Sequence, residues 1–339
     1  MDYRALGTTD LRVSALGLAC HTIGGGLYHR DDGESIRMLH QALDAGVNFF
    51  DVSDHHSQGH AERLIGQAFR GRRNRVILAT KTGYRFAPVG TFALHMRSLL
   101  RPASALLRPW QRKLHHFKAS QVRYDFSPEH IRQAVEASLV RLQTDHIDLY
   151  QLYKPSGSMV EAGDFLAVLE RLKAEGKIRH WGLACATVED TRPAFRHRGI
   201  ASVQVAINLL DQDALSTLLP SAQQRGVGVV ARYPRACGLL TSAGSDIMGD
   251  TSQYSEAEHA RRVHRVQAFR GLVTSNRTLS QAAIQFVLQI PGVASAIPRA
   301  VTCKELAENL GALTAPPLSA EELGQIAALS EPGEWSRTG

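Results

Sequence analysis

Eight times along this 339-residue chain, a short apolar run is followed by a longer amphipathic one. The apolar runs cover 15–19, 47–50, 76–80, 147–151, 179–184, 202–207, 227–231 and 293–297. Each has the length of one buried strand, and the stretches between them carry apolar residues at helical spacing. The helical runs read as 35–45, 61–70, 127–142, 161–175, 187–197, 213–225, 256–274 followed by 279–289, and 302–312, with a last helix over 319–329. The best-marked start is Ser127-Pro128-Glu129, a capping residue followed by proline at the first helical position. A hairpin over 3–13, turning near residues 8–10, precedes the first strand. Strand and helix in strict alternation demand a parallel sheet covered by helices. Eight units without a charged linker predict one (β/α)8 TIM barrel over residues 1–339, with an insertion over about 85–126.

A doubly wound sheet is the competing architecture. It would carry a glycine-rich turn opening directly into a helix after the first strand. Here Gly24-Gly25-Gly26 runs into Leu27-Tyr28 instead, which weighs against it. Hydrophobic residues make up 44% of the chain, enough for a large core. No apolar run reaches about 18 residues, and the first residues lack an apolar leader, so a cytoplasmic protein without membrane partners is expected. Cys20, Cys185, Cys237 and Cys303 are far apart and form no CxxC pair, which fits free thiols in a reducing compartment. The net charge is +7, and much of the excess lies in 97–123, a segment rich in Arg and Lys and free of acids. It reads as a helical lid over an anionic ligand, a solvated insertion, or a membrane or nucleic-acid patch. No nucleic-acid motif accompanies it, so nucleic acid is not expected as a partner.

In a barrel of this kind the chemistry lies at the carboxyl ends of the strands. Asp51, His56, Lys81 and Tyr153 stand just past three of the apolar runs. An acid, an imidazole, a lysine and a phenol at one mouth make a proton-transfer site. His55 and His60 near His56 have no second cluster at metal-ligand spacing, so no metal is expected. Tyr28, Tyr84, Arg85 and Trp110 are candidates for the walls and lid, and Asp54 for bracing the loop.

Six stretches in order resemble the aldo-keto reductase family. They are Tyr3-Arg4-Ala5-Leu6-Gly7 with the following 13–18, Gly46 to Asp51 with Gly59-His60-Ala61-Glu62, Ala79-Thr80-Lys81-Thr82-Gly83, 141–152, Gly176-Lys177-Ile178-Arg179 with Gly182, and Ile297-Pro298 with Glu305 to Asn309. The resemblance implies reduction of a carbonyl by NADPH, with Asp51 and Lys81 at matching positions. The family's tyrosine position holds His56, and its histidine position holds Tyr153. At pH 7 a histidine beside a lysine is mostly neutral, a usable base and a poor acid. The phenol of Tyr153 would then be the donor.

The resemblance also implies cofactor contacts from Gln204, Asn208, Arg232, Gly238, Leu239, Thr241, Arg299, Lys304, Glu308 and Asn309. Ala184 and Cys185 stand where the family holds the nicotinamide carboxamide with polar side chains. Val301 stands where a basic residue usually meets the 2′-phosphate. Three functions follow: an NADP(H)-dependent oxidoreductase with an altered proton relay acting on a small carbonyl or alcohol; a redox-silent lyase, dehydratase, isomerase or cyclase; and a nucleotide-binding subunit without catalysis. The first fits the residues kept at both ends of the cofactor groove. The sequence leaves the substrate and the oligomeric state open.

Overall fold

Hairpin, barrel and closing helix follow the alternation of the sequence. A computed structural model describes residues 1–24, 31–86, 122–241 and 255–329. The chain opens with β1 (Tyr3–Ala5) and β2 (Arg12–Ser14), paired antiparallel with Arg4 opposite Val13. The barrel begins with β3 (Leu18–Ala19), β4 (Phe49–Asp51) and β5 (Ile77–Thr82). A side ladder of β6 (Tyr84–Phe86) and β7 (Val122–Tyr124) intervenes. The barrel resumes with β8 (Ile147–Tyr153), β9 (Ile178–Ala184), β10 (Ile200–Ala206), β11 (Gly228–Arg232) and β12 (Val293–Ile297).

The eight barrel strands run parallel in the order β3-β4-β5-β8-β9-β10-β11-β12. Parallel bridges from Leu16 to Ala296 and from Ala19 to Arg299 close the ring. Gly17 donates its N–H to Ala296 O at 2.9 Å, and Ala296 donates to Ala15 O at 2.8 Å. The sheet therefore has no free edge, and the predicted (β/α)8 barrel is the observed fold.

Side chains alternate across the pleat, so every second residue enters the barrel. Ala19, Phe49, Ala79, Leu149, Val230 and Ile297 pack together inside it. The hairpin caps the amino-terminal end of that core with Leu6, Leu11 and Val13. Its turn seats on the start of β11: Thr8 N–H donates to Gly226 O at 2.8 Å, and Gly7 is left-handed at φ +59°. A Cβ at Gly7 would lie 2.3 Å from Gly226 O, so the contact requires glycine. On the outer face, the strands pack against helices 32–44, 60–68, 128–142, 166–174, 279–288 and 303–311.

Several predicted helices are broken for local reasons. The run at 161–175 is two helices, Gly157–Ala162 and Leu166–Ala174, because Gly163 ends the first in the left-handed region. The run at 187–197 is a 3₁₀ segment, Glu189–Arg196, with Pro193 inside it lacking an N–H. The run at 213–225 splits at Leu218 before Pro220, and that at 256–274 ends its α-helix at Ala268. Helix Pro128–Leu142 has the predicted bounds and the Ser127 cap. The ends of the basic insertion are strands, not helix, since β6 and β7 pair directly. Its centre at 87–121, with Trp110, lies outside the described residues, as do Gly25, Gly26 and Tyr28.

At the end of the barrel away from the mouth, Asp148 is buried. It accepts from Arg73 Nη2 at 2.7 Å, Leu78 N at 2.9 Å and Arg179 Nη1 at 2.6 Å. A buried charge cluster at this end serves stability, not chemistry. Asp148→Ala should cost about 3 kcal/mol, the low end for breaking a buried pair because both guanidinium groups reach solvent. Urea unfolding measures the loss; equal stability of the variant would show the cluster to be dispensable.

Candidate active site

The same alternation that fills the barrel with apolar residues turns polar one step higher. Two residues beyond Phe49, Ala79, Leu149 and Val230 come Asp51, Lys81, Gln151 and Arg232, joined by Gln204 from β10. Asp51, Lys81, Gln151, Gln204 and Arg232 are all buried. Lys81 Nζ donates to Asp51 Oδ2 at 2.5 Å. Asp51 Oδ1 accepts from Gln204 Nε2 at 2.9 Å and Gln151 Nε2 at 3.2 Å. Four strands thus converge on one carboxylate. Burial lowers the Lys81 ammonium from its ordinary value, and Asp51 opposes that shift.

Behind this layer a second buried group fixes the loop after β4. Glu62 accepts from Thr80 Oγ1 at 2.6 Å and Arg141 Nε at 2.5 Å. Burial raises its pKa against the pull of Arg141. The loop passes through left-handed backbone at Ser57, Gln58 and Gly59 before helix His60–Ala68. At Gly59 a Cβ would come 2.6 Å from Arg141 Cδ, so this turn also needs glycine.

The loop carries His55 and His56 into an aromatic cluster over the mouth. His56 packs on His21 with ring centroids 5.8 Å apart and on His55 at 4.4 Å. His55 in turn packs on Tyr153 at 5.0 Å and Tyr84 at 4.6 Å. Tyr84 continues the cluster to Tyr124, its hydroxyl 3.3 Å from the Tyr124 hydroxyl. His56 and Tyr153 therefore share one cluster, with the ring of His55 joining them. His55 Nδ1 bonds to Ser53 Oγ, and Asp54 Oδ2 accepts from Thr82 Oγ1 at 2.7 Å. His56 Nδ1 is buried without a hydrogen-bond partner among the described residues. Burial lowers the pKa of both imidazoles, that of His56 well below the usual 6.5, with His55 and Lys81 adding to the shift.

The remaining predicted residues follow the rim from β9 to β12. Ala184 and Cys185 are fully buried, and the backbone carbonyls of Cys185 and Ala186 accept from Arg232 Nη2 at 2.5 and 3.1 Å. Asn208 braces its own loop, bonding Asp211 at 2.8 Å and Tyr233 O at 3.0 Å. Gly238 and Leu239 follow a turn left-handed at Ala236, Cys237 and Gly238, and Thr241 Oγ1 closes it onto Gly238 O at 2.7 Å. Arg299 O accepts from Asn309 Nδ2 at 3.0 Å and from Arg235 Nη2 at 2.6 Å. Lys304 is exposed, and Glu308 is turned towards Thr278, whose hydroxyl lies 3.2 Å away. Asn309 Oδ1 is a buried acceptor with no partner among the described residues, which suits the amino group of an adenine. Arg235 and Arg299 add cations beside it, so the donor set fits a dinucleotide.

Gln151, His55 and Arg235 were not anticipated as site residues. Gln151 was readable, since it alternates with Leu149 and Tyr153 on one face of β8. His55 and Arg235 depend on loop geometry that no spacing reveals.

The Aldo/keto reductase family profile matches residues 16–331. The chain belongs to the aldo/keto reductase family. An NADH-specific methylglyoxal reductase of Escherichia coli is 31% identical over 245 residues, 70% of this chain and 68% of that protein. The holo form of the aldo-keto reductase AKR11C1 from Bacillus halodurans superposes with a TM-score of 0.78 at 29% identity, covering 99% of both chains. An aldo/keto reductase from Klebsiella pneumoniae, solved with NADP and acetate, gives a TM-score of 0.68 at 26% identity over 98% of this chain and 97% of that one. This chain is accordingly an aldo-keto reductase-type oxidoreductase whose family uses nicotinamide cofactors and small-molecule substrates. Among the described residues no helix is long and apolar enough to cross a membrane, and no group of three metal-ligating side chains occurs.

The histidine pair sets a pH dependence. Both imidazoles resist protonation in the fold, while the unfolded chain takes up protons near pH 6.5. The unfolded state then binds more protons below that pH. Stability should be flat in this respect above pH 7 and fall as the pH drops below 6.5, by up to about 1.4 kcal/mol per unit for each ring. Urea midpoints between pH 7.5 and 5 measure the slope. His56→Asn should reduce it, and an unchanged slope would mean that His56 titrates normally.

Proposed function

We propose that the protein reduces a carbonyl compound with NADPH through a relay in which Tyr153 and His56 have exchanged the family's positions. The observation that carries this reading is the buried Lys81–Asp51 pair, 2.5 Å long and braced by Gln151 and Gln204 at the carboxyl end of the strands. When bound, the nicotinamide supplies hydride to the carbonyl carbon. The carbonyl oxygen gains negative charge in that step, and a cation held in a dry site stabilises it. Lys81 is that cation, kept charged by Asp51. The oxygen also needs a proton. His56, with its pKa held well below 6.5, is neutral at pH 7 and a poor acid. The O–H of Tyr153, at the end of β8 on the same inward face as Gln151, donates it. His55 packs against the phenol ring and fixes its direction.

The cofactor is read along the rim described above. Gly238, Leu239 and Thr241 lie beside the pyrophosphate, and Asn309 takes the adenine. Arg299 and Lys304, joined by Arg235, favour the 2′-phosphate. Gln204, Asn208 and Arg232 mark the nicotinamide end, where Arg232 stands at the seam between cofactor and substrate. Four cysteines without a disulfide among the described residues suit the cytoplasm.

One observation favours the redox-silent alternative: Ala184 and Cys185 offer no polar side chain for the carboxamide. The two readings differ in cofactor demand. A reductase consumes one NADPH per product, followed by the loss of absorbance near 340 nm; a lyase or isomerase forms product with NADPH unchanged. Tyr153→Phe should lower kcat by about 10²- to 10⁴-fold, the usual weight of a general acid. His56→Tyr alone should not restore ordinary reductase rates, whereas His56→Tyr with Tyr153→His should exceed both single variants on generic aldehydes. Equal rates in wild type and the double variant would make the exchange neutral, and product without NADPH loss would overturn the reductase reading.

A further inference from the structure

Of the three charges turned into the barrel at the polar layer, two neutralise each other and one does not. Lys81 is paired with Asp51. Arg232 is 6% exposed and forms no ion pair among the described residues. Its Nη2 is engaged by the two carbonyls after β9, and the guanidinium lies over the Tyr233 ring, 5.3 Å from its centroid, a contact that brings no counter-charge. Its Nε and Nη1 are buried without a hydrogen-bond partner. A guanidinium cannot give up its proton to escape this, and a buried, unpaired charge is costly. A fold that retains such a group has a counter-charge arriving from outside.

The barrel order places the two cations on opposite walls. β5, carrying Lys81, and β11, carrying Arg232, are separated by β8, β9 and β10 along one arc and by β4, β3 and β12 along the other. We propose that Arg232 recognises a carboxylate on the substrate, so that the enzyme takes a carbonyl compound bearing one carboxylate. This rests on the reductase reading for the position of the carbonyl at Lys81. A single excess charge and two unengaged donor nitrogens, Nε and Nη1, match a monoanion better than a phosphate dianion, which carries twice the charge.

A matched pair of aldehydes tests this. 4-Carboxybenzaldehyde and 4-formylbenzamide have nearly the same shape and differ by one charge. Wild type should prefer the first in kcat/KM by about 10- to 100-fold, the usual weight of a charge-assisted hydrogen bond. Arg232→Met should bring the ratio to within about threefold of one, and Arg232→Lys should keep part of the preference. Because methionine removes the unpaired charge and fills the space, the thermal midpoint of Arg232→Met should not fall below that of wild type. Calorimetric titration of the cofactor-loaded enzyme with 4-(hydroxymethyl)benzoate and its amide repeats the comparison without turnover. That arm stands even if no hydride is transferred, and it should show the same preference and the same loss in Arg232→Met. A wild-type ratio near one in both arms would overturn the proposal. So would a ratio that survives Arg232→Met while NADPH affinity falls, which would give the guanidinium to the cofactor.

Discussion

The Asp51 carboxylate holds the mouth of the barrel together. It is buried, and its two oxygens take hydrogen bonds from Lys81, Gln151 and Gln204, which come from three other strands. Removing such a charge from water is costly, and only a complete set of partners offsets the cost. The partners are correctly placed only if β4, β5, β8 and β10 keep their registers, one residue of slip turning each side chain out of the barrel. The closed ring supplies that constraint, through Ala79 opposite Leu149 and the bridges from Leu16 and Ala19 to β12. The polar layer and the apolar layer beneath it are successive steps of one pleat, so the packing of Phe49, Ala79, Leu149 and Val230 positions the polar side chains two residues above.

Much of this was legible because it is periodic. Period-two alternation and apolar runs located all eight barrel strands, within two residues at their bounds except for the short β3. They also put Asp51 and Lys81 at the mouth. The capping pattern Ser127-Pro128 placed its helix correctly because cap and proline act locally. Failures occurred where a single residue interrupts a pattern that otherwise continues. Gly163, Leu218 and Pro193 each break a helical run whose apolar spacing continues past the break. The ring of His55 between His56 and Tyr153 was not legible either. It depends on the left-handed turn at Ser57, Gln58 and Gly59, which Arg141 and Glu62 fix from another helix. Non-local contacts of that kind leave no trace in spacing.

In the proposed relay, the exchange of histidine and tyrosine would change what the mouth can do at neutral pH. An imidazole enclosed beside Lys81 and two further imidazoles is pushed to its neutral form by burial first, then by His55, Lys81 and His21. It can accept or donate one hydrogen bond, but it does not carry a spare proton. The phenol, whose ordinary pKa is near 10, always does. The physical requirement is a proton donor near a cation, and the proposed relay would meet it from β8 in place of the loop after β4. Tyr84 and Tyr124 extend the aromatic wall outward from the same point, on the short ladder that begins the basic insertion.

Arg232 departs furthest from a self-contained site. Every other charged group in the polar layer has its partner within the protein, which keeps the ligand-free barrel electrically balanced there. Arg232 leaves an excess positive charge facing the lumen, with Nη2 fixed by backbone carbonyls so that the guanidinium cannot swing out to solvent without losing those bonds. The group is therefore held ready, and its desolvation has already occurred in the folded chain. A ligand anion that reaches it meets a cation whose orientation and dehydration need no further free energy, which is the condition under which one charged contact discriminates strongly between otherwise similar molecules. The Asp51–Lys81 pair has the opposite property. It is saturated from within and can act on charge that develops during reaction without binding a ground-state anion strongly. In the proposed reaction the two cations would thus divide the work: the unpaired one would select, and the paired one would stabilise the reacting oxygen.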